Sequence, residues 1–294
     1  MITLNIKLNK KKISIYLILS MISCTTIGQS MIDKIMTRNK IYTTSPNYGK
    51  SVGVFGGSIS SIPNSNYVKD QWRNLLAMNV TDYGALGFGF SKLQGSIQNE
   101  VNNCLPKDIY VLWASTNDLY NNRLCGTDSD YTVLDNYDDK KLTTQCGGIN
   151  YCIKKLREIN PDCKIYFIST FQSFKDKFGF DSTYVNGIGE RVTDYIYYQR
   201  KCCERNNVKF LDLFHINIFN QSNYKNYFSD TIHPNETGYK LLSYYILTFI
   251  SELSETTNVV TTIYNKNQIL YKIKVCNKYI YIINSNHSIF KVLM

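Results

Sequence analysis

The chain has 294 residues, a formal net charge of +10 and nine cysteines. With 44% hydrophobic and 19% charged residues it has a globular composition, long enough for one medium domain with a sizeable core and small appendages. A pI near 9.0 would suit a nucleic-acid binder, but the charge lies at the ends. Residues 1–28 hold Lys7, Lys10, Lys11 and Lys12 and no acid. Residues 256–294 hold Lys266, Lys272, Lys274, Lys278 and Lys291 and no acid, which leaves +1 for residues 29–255. A body so close to neutral argues against a phosphate-binding groove.

The first lysines precede a short apolar run, Ile13–Ser23. A basic stretch, a short apolar stretch and small residues after it read as an export signal over residues 1–28. A retained N-terminal anchor is the alternative, but a membrane span needs about 20 apolar residues. Met21-Ile-Ser-Cys24 loosely resembles a lipoprotein box, which would lipidate Cys24. Thr26-Ile-Gly28 before Gln29 suits ordinary cleavage, and Met21, where such a box usually has Leu, favours it. The expected location is secreted, periplasmic or cell-surface. Cleavage would leave Cys104, Cys125, Cys146, Cys152, Cys163, Cys202, Cys203 and Cys276, an even set for which an oxidising compartment permits disulfides. Cys125 with Cys146 is the predicted pair; buried free thiols are an equal alternative. There is no Cys-x-x-Cys and no Cys/His cluster at zinc spacing, so no metal is expected.

In chain order, Ser51–Phe55 reads as a short apolar strand ending in Gly56-Gly57-Ser58. Val68, Trp72, Leu75 and Leu76 give Tyr67–Met78 helical spacing, and Asn79–Tyr83 reads as a second strand. Ser91–Asn102 reads as a helix and Asp108–Ala114 as a strongly apolar strand. Residues 119–147 are polar and resemble an insertion. Gly148–Ile159 reads as a helix, Lys164–Ser169 as a strand, Asn186–Arg205 as a long helix, Val208–Leu213 as a fifth strand and Asn235–Leu253 as a last helix. Strands separated by helices imply right-handed crossovers and a parallel sheet covered on both faces. Residues 256–294 alternate instead, as in Ile269–Val275 and Tyr279–Ile283, and suggest a small antiparallel β appendage.

Ligands of an open parallel sheet bind beyond the carboxyl ends of its strands. After the first strand comes Ser58, at the start of a helix whose N-terminus favours negative charge. After the second come Gly84, Gly87 and Gly89, after the third Ser115-Thr-Asn117-Asp118, and before the last helix Asp230-Thr-Ile-His233-Pro234. A serine hydrolase needs a nucleophile, a base, an orienter for the base and oxyanion donors. This set supplies all four. Rival motifs fail. Gly-x-Ser-x-Gly is broken by Ser60. The glycines at 84, 87 and 89 lack dinucleotide-fingerprint spacing, and no Gly-Lys-Ser/Thr loop occurs, so no cofactor is expected. His215 follows the fifth strand and is a lesser candidate for the cleft. His287 lies in the tail, and Asp118 reads as a hydrogen-bonding anchor for its loop.

At these residues the sequence resembles the SGNH hydrolases, also called GDSL esterases/lipases, over roughly residues 50–253. Val54-Phe-Gly-Gly-Ser58-Ile is similar to the nucleophile block and Tyr83-Gly-Ala-Leu-Gly87 to the oxyanion-glycine block. Trp113-Ala-Ser-Thr-Asn117-Asp118 is similar to the Gly-x-Asn-Asp block. Ser229-Asp230-Thr-Ile-His233-Pro234 follows the Asp-x-x-His-Pro block most closely. The sequence departs at Gly57, where the family usually has Asp, and at Ser115, where it usually has Gly. The resemblance implies a flavodoxin-like three-layer α/β/α fold with a five-stranded parallel sheet over residues 29–255. It implies Ser58 as nucleophile, His233 as base and Asp230 as its orienter, with the Ser58 and Gly87 N–H groups and the Asn117 amide as oxyanion donors. The expected activity is hydrolysis of acyl esters, with O-acetylated carbohydrate the preferred partner. A lipase or lysophospholipase and a non-catalytic carbohydrate-binding protein are the alternatives. The tail, ending in Lys291-Val-Leu-Met294, weakly resembles C-terminal sorting domains of Bacteroidetes secreted proteins. A plain β-hairpin is the other reading.

Overall fold

The computed structural model describes residues 42–92, 95–130, 142–174, 179–216 and 218–253, and for the backbone also 259–265, 268–276, 279–284 and 289–293. The export signal, Cys24 and His287 lie outside the described residues. Two compact units divide near residue 251.

In the first unit, strands β1 (Ser51–Gly56), β2 (Asn79–Asp82), β3 (Ile109–Trp113), β4 (Lys164–Ile168) and β5 (Lys209–Leu211) form one sheet in the order β2-β1-β3-β4-β5. Every pairing is parallel. This is the flavodoxin-like strand order, which reverses between β1 and β3, and ligand crevices open at that reversal. The helices are α1 (Ser58–Ser61), α2 (Asn66–Leu76), α3 (Ile97–Asn102), α4 (Asn117–Tyr120), α5 (Gln145–Ile159), α6 (Val192–Arg205) and α7 (Glu236–Ser251).

Alternation along the strands divides the core. Tyr110, Leu112 and Ala114 of the third strand and its end join Ile149 and Ile153 of α5 and Ile196 of α6 on one face. Tyr166 of β4 points the other way and meets Phe249 of α7 edge-on, with ring centroids 5.4 Å apart. Helix α2 packs against α7 on that second face, and α5 packs against α3 and α6. Both faces are therefore dry, as a parallel sheet requires.

Three helix starts differ from the sequence expectation. The helix read from Ser91 begins only at Ile97, because the Ser96 hydroxyl caps it by accepting the Gln98 N–H and Gly95 takes a left-handed φ of +74°. The helix read from Gly148 begins at Gln145, where Thr144 accepts the Gly147 N–H. The insertion reading therefore runs into a helix, and Leu142 and residues 144–147 are buried. The long helix read from Asn186 begins at Val192. Before it the Asn186 side chain accepts the N–H groups of Ile188 and Glu190, folding a loop instead.

The predicted Cys125–Cys146 disulfide is not formed. Cys146 lies in the first turn of α5, where its N–H donates to the Cys125 carbonyl at 2.9 Å. Its thiol hydrogen-bonds with those of Cys125 and Cys202, and the seven cysteines whose side chains are described are free. Three buried sulfurs share one core site, and spacing along the chain could not reveal the third.

The second unit holds β6 (Val259–Asn265), β7 (Gln268–Cys276), β8 (Tyr279–Asn284) and β9 (Ile289–Leu293). They form an antiparallel sheet in sequential order, with a bulge between Ile263 and Tyr264. It is a four-stranded meander and not a hairpin.

Candidate active site

The site is assembled from the bottom of the crevice upward. β1 leaves the sheet at Gly56, and Gly57 carries the chain into α1, whose first residue is Ser58. The turn is fixed from three sides. Ser60 and Ser61 return their hydroxyls to the Gly57 carbonyl at 3.0 Å. The Lys69 ammonium of α2 donates to the Ser60 carbonyl at 2.8 Å. The Tyr239 hydroxyl of α7 donates to the Ile59 carbonyl at 2.6 Å. The nucleophile candidate thus stands on a braced turn.

His233 arrives from the loop before α7. Its Nε2 lies 2.8 Å from the Ser58 Oγ, across 175 residues of chain. Its Nδ1 lies 2.8 Å from Asp230 Oδ2. An ionised carboxylate only accepts, so Nδ1 carries the proton and Nε2 presents its lone pair to the serine. The other Asp230 oxygen accepts the backbone N–H groups of Ile232 and His233, both at 2.7 Å. Burial raises the Asp230 carboxyl, but those two N–H groups and the imidazole outweigh it and hold it below its ordinary value.

The segments that carry the expected oxyanion donors adjoin the nucleophile turn. Ala85 donates to the Gly56 carbonyl at 3.0 Å, which pins the glycine loop against the end of β1. Phe88 then closes a turn onto the Ala85 carbonyl, with Gly87 at its third position and φ +78°. Position three of such a turn needs positive φ, which glycine adopts without steric cost. Among the described residues, the Ser58 and Gly87 N–H groups donate to no protein acceptor. Asn117 opens α4 directly after β3. Its Nδ2 donates to the Phe88 carbonyl at 2.8 Å and to the Ser115 Oγ at 3.0 Å. A Cβ built on Gly57 would stand 2.6 Å from that Nδ2, which places the amide beside the nucleophile turn.

Asp118 anchors the loop, as its position suggested. Its buried carboxylate accepts the Phe90 N–H at 2.8 Å, the Ser91 N–H at 3.1 Å, the Ser91 hydroxyl and the Gln145 amide at 3.3 Å. His215 does not join the group. It pairs with Asp212 at 2.9 Å, is 59% exposed and hydrogen-bonds none of Ser58, Asp230 or His233. Sequence reasoning passed over Lys69, Tyr239 and Ser115. The first two carried only helix-face signals; Ser115 was visible solely as a departure from the family pattern. Among the described residues no cluster of three or more metal-ligating side chains forms, and no helix there is long and apolar enough to cross a membrane.

A reversed strand order with serine, imidazole and carboxylate in line at the reversal defines a hydrolase of the SGNH fold. The chain belongs to the GDSL-like Lipase/Acylhydrolase family, whose pattern matches residues 54–241. Its fold is similar to that of a solved protein from Lactobacillus plantarum, with a TM-score of 0.59 at 20% identity, covering 69% of this chain and 98% of that one. It is likewise similar to a possible lipase from Chitinophaga pinensis, with a TM-score of 0.53 at 18% identity, covering 67% and 96%. No curated protein matches the chain significantly.

Proposed function

We propose that the protein is an exported serine esterase that hydrolyses acyl esters, with O-acetyl groups on carbohydrates as its substrate class. The observation that carries this reading is the unbroken line from Ser58 Oγ through His233 to Asp230, with both separations at 2.8 Å. As Ser58 Oγ attacks the ester carbonyl carbon, His233 Nε2 takes its proton. Asp230 offsets the imidazolium charge and holds its tautomer. The carbonyl oxygen, now an oxyanion, receives the N–H groups of Ser58 and Gly87 and an N–H of the Asn117 amide. Collapse of the adduct breaks the ester C–O bond, and His233 returns its proton to the departing alcohol. Water then attacks the acyl-serine with His233 as base, releasing the acid and restoring Ser58.

The carbohydrate preference draws on Tyr120, three residues beyond Asn117 and 63% exposed, an aromatic ring of the kind that stacks on sugars. Leu86, beside Gly87 and 68% exposed, favours the rival lipase reading, since it offers an apolar contact to an acyl chain. A non-catalytic binding protein would have no need of a serine within hydrogen-bonding reach of a lone-pair nitrogen.

Hydrolysis of p-nitrophenyl acetate and its longer-chain homologues, with S58A as control, tests the reading. Short-chain preference abolished by S58A is expected. Activity retained in S58A overturns the mechanism, and a long-chain preference moves the substrate to lipids.

A further inference from the structure

Asn117 presents a difficulty for its own role: its amide nitrogen already has two protein acceptors. Phe88 O lies 2.8 Å from Nδ2, Ser115 Oγ lies 3.0 Å from it, and those two acceptors are themselves 2.9 Å apart because the serine hydroxyl donates to the carbonyl. Three nearly equal sides make a nearly equilateral triangle, so the acceptors subtend about 60° at Nδ2. The two N–H bonds of a planar amide diverge by about 120°. Two bonds cannot each point at acceptors half that angle apart. The arrangement that leaves a donor for the oxyanion is the one in which one N–H points between them in a shared, three-centre bond and the other is turned away from both. The Phe88 carbonyl can only accept, which also fixes nitrogen and not oxygen on this side of the amide.

Gly57 closes the same corner. Its φ of −89° suits any residue, so backbone conformation does not demand glycine. Space does: a Cβ there would lie 2.6 Å from Asn117 Nδ2, 2.6 Å from Phe88 O and 2.8 Å from Ser115 Cβ, the three members of the triangle. The two positions at which the sequence departs from the family blocks are thus in contact with each other.

Resting on the esterase reading, we propose that Ser115 is a positioning residue for the oxyanion site. It gathers one N–H of Asn117 with the Phe88 carbonyl so that the second N–H is held toward the Ser58 turn, and Gly57 lacks a side chain to leave this triangle its room. Ser115 touches no reacting atom and acts through Asn117.

The test measures kcat and KM on p-nitrophenyl acetate, the melting temperature, and the rate at which a fluorophosphonate modifies Ser58, followed by intact mass. In that last reaction the Ser58 Oγ–P bond forms, fluoride leaves and the phosphoryl oxygen occupies the oxyanion site. Losing an oxyanion donor costs about 100- to 1000-fold, so losing only its orientation in S115A should lower kcat roughly 10- to 100-fold. KM and melting temperature should stay near the parent values. S115T and S115V have equal shape and differ in the hydroxyl, so S115T should keep several-fold more kcat even if both perturb packing. G57A should cost several-fold less in an S115G background than alone. An S115A or S115V enzyme as fast as its hydroxyl-bearing counterpart overturns the proposal, and so does a G57A penalty equal in both backgrounds. A parent that hydrolyses esters while S115A does so equally well retracts the positioning role alone. A parent that hydrolyses none, yet labels faster than S115A, retracts the esterase reading alone. A parent inert in both assays overturns both.

Discussion

Lys69 and Asp82 form an ion pair whose two members have unequal access to water: the Lys69 side chain is 1% exposed and that of Asp82 is 27% exposed. The ammonium also donates to the Ser60 carbonyl, and the second Asp82 oxygen accepts the Gly84 N–H at 2.9 Å. One buried lysine therefore ties the nucleophile turn to the start of the oxyanion loop.

The asymmetry predicts unequal losses. Removing one partner of a buried pair leaves the other charge uncompensated and costs about 3–5 kcal/mol when that charge cannot reach water. D82A strands the buried ammonium and should lose stability in that range. K69M strands a carboxylate that can still be solvated and should lose less, roughly 1–3 kcal/mol. Urea unfolding at neutral pH of the two variants decides it; equal losses would show that burial does not set the cost.

Asp118 makes a second prediction about the same loop. Its carboxylate satisfies two backbone N–H groups and two side chains at one buried point. D118A leaves those donors without an acceptor and should destabilise the protein by roughly 3 kcal/mol. The Phe88 carbonyl lies two residues before Phe90, so the Asn117 amide should lose its partner and kcat should fall by at least about tenfold. Stability lost with kcat unchanged would separate the anchor from the oxyanion site.

Asp230 gives the pH dependence. Its carboxyl lies below the ordinary value in the folded protein, so the ionised form is the one folding favours. Its contribution is then complete above the unfolded value of about 3.9 and is lost as the pH falls through the lower folded value. The stability difference between the parent and D230N should be constant above about pH 5 and close below about pH 4. A gap that widened on acidification would reverse the sign. In the same variant the amide can donate to Nδ1 and select the wrong tautomer, so kcat should fall by up to about 10⁴-fold.

Much of this was legible in the sequence for local reasons. Each strand ends at its own turn residues, and Asp230 and His233 are close in the chain, so their pairing needs no distant contact. What stayed hidden depends on long-range partners. Asp118 takes the N–H groups of Phe90 and Ser91 from 28 and 27 residues away, which a helix reading of Ser91–Asn102 cannot foresee. Lys69 sits on a helix like any surface lysine until Asp82 and Ser60 are brought beside it. Ser115 becomes informative only when Phe88 O completes its triangle.

The cysteines supply the last prediction. Burial pushes the Cys163 thiol up to about 11 and raises those of Cys104, Cys152 and Cys203. Hydrogen bonding with Cys125 and Cys202, added to burial, raises that of Cys146. The thiolate is the reactive species, so at pH 8 about one Cys163 in a thousand is competent. Native protein should resist iodoacetamide at that pH. Unreduced protein unfolded in guanidinium should alkylate at all seven described positions, by peptide mass. Disulfide-linked peptides in that sample, Cys125 to Cys146 above all, would show that the protein oxidises the cluster that the structure holds as free thiols.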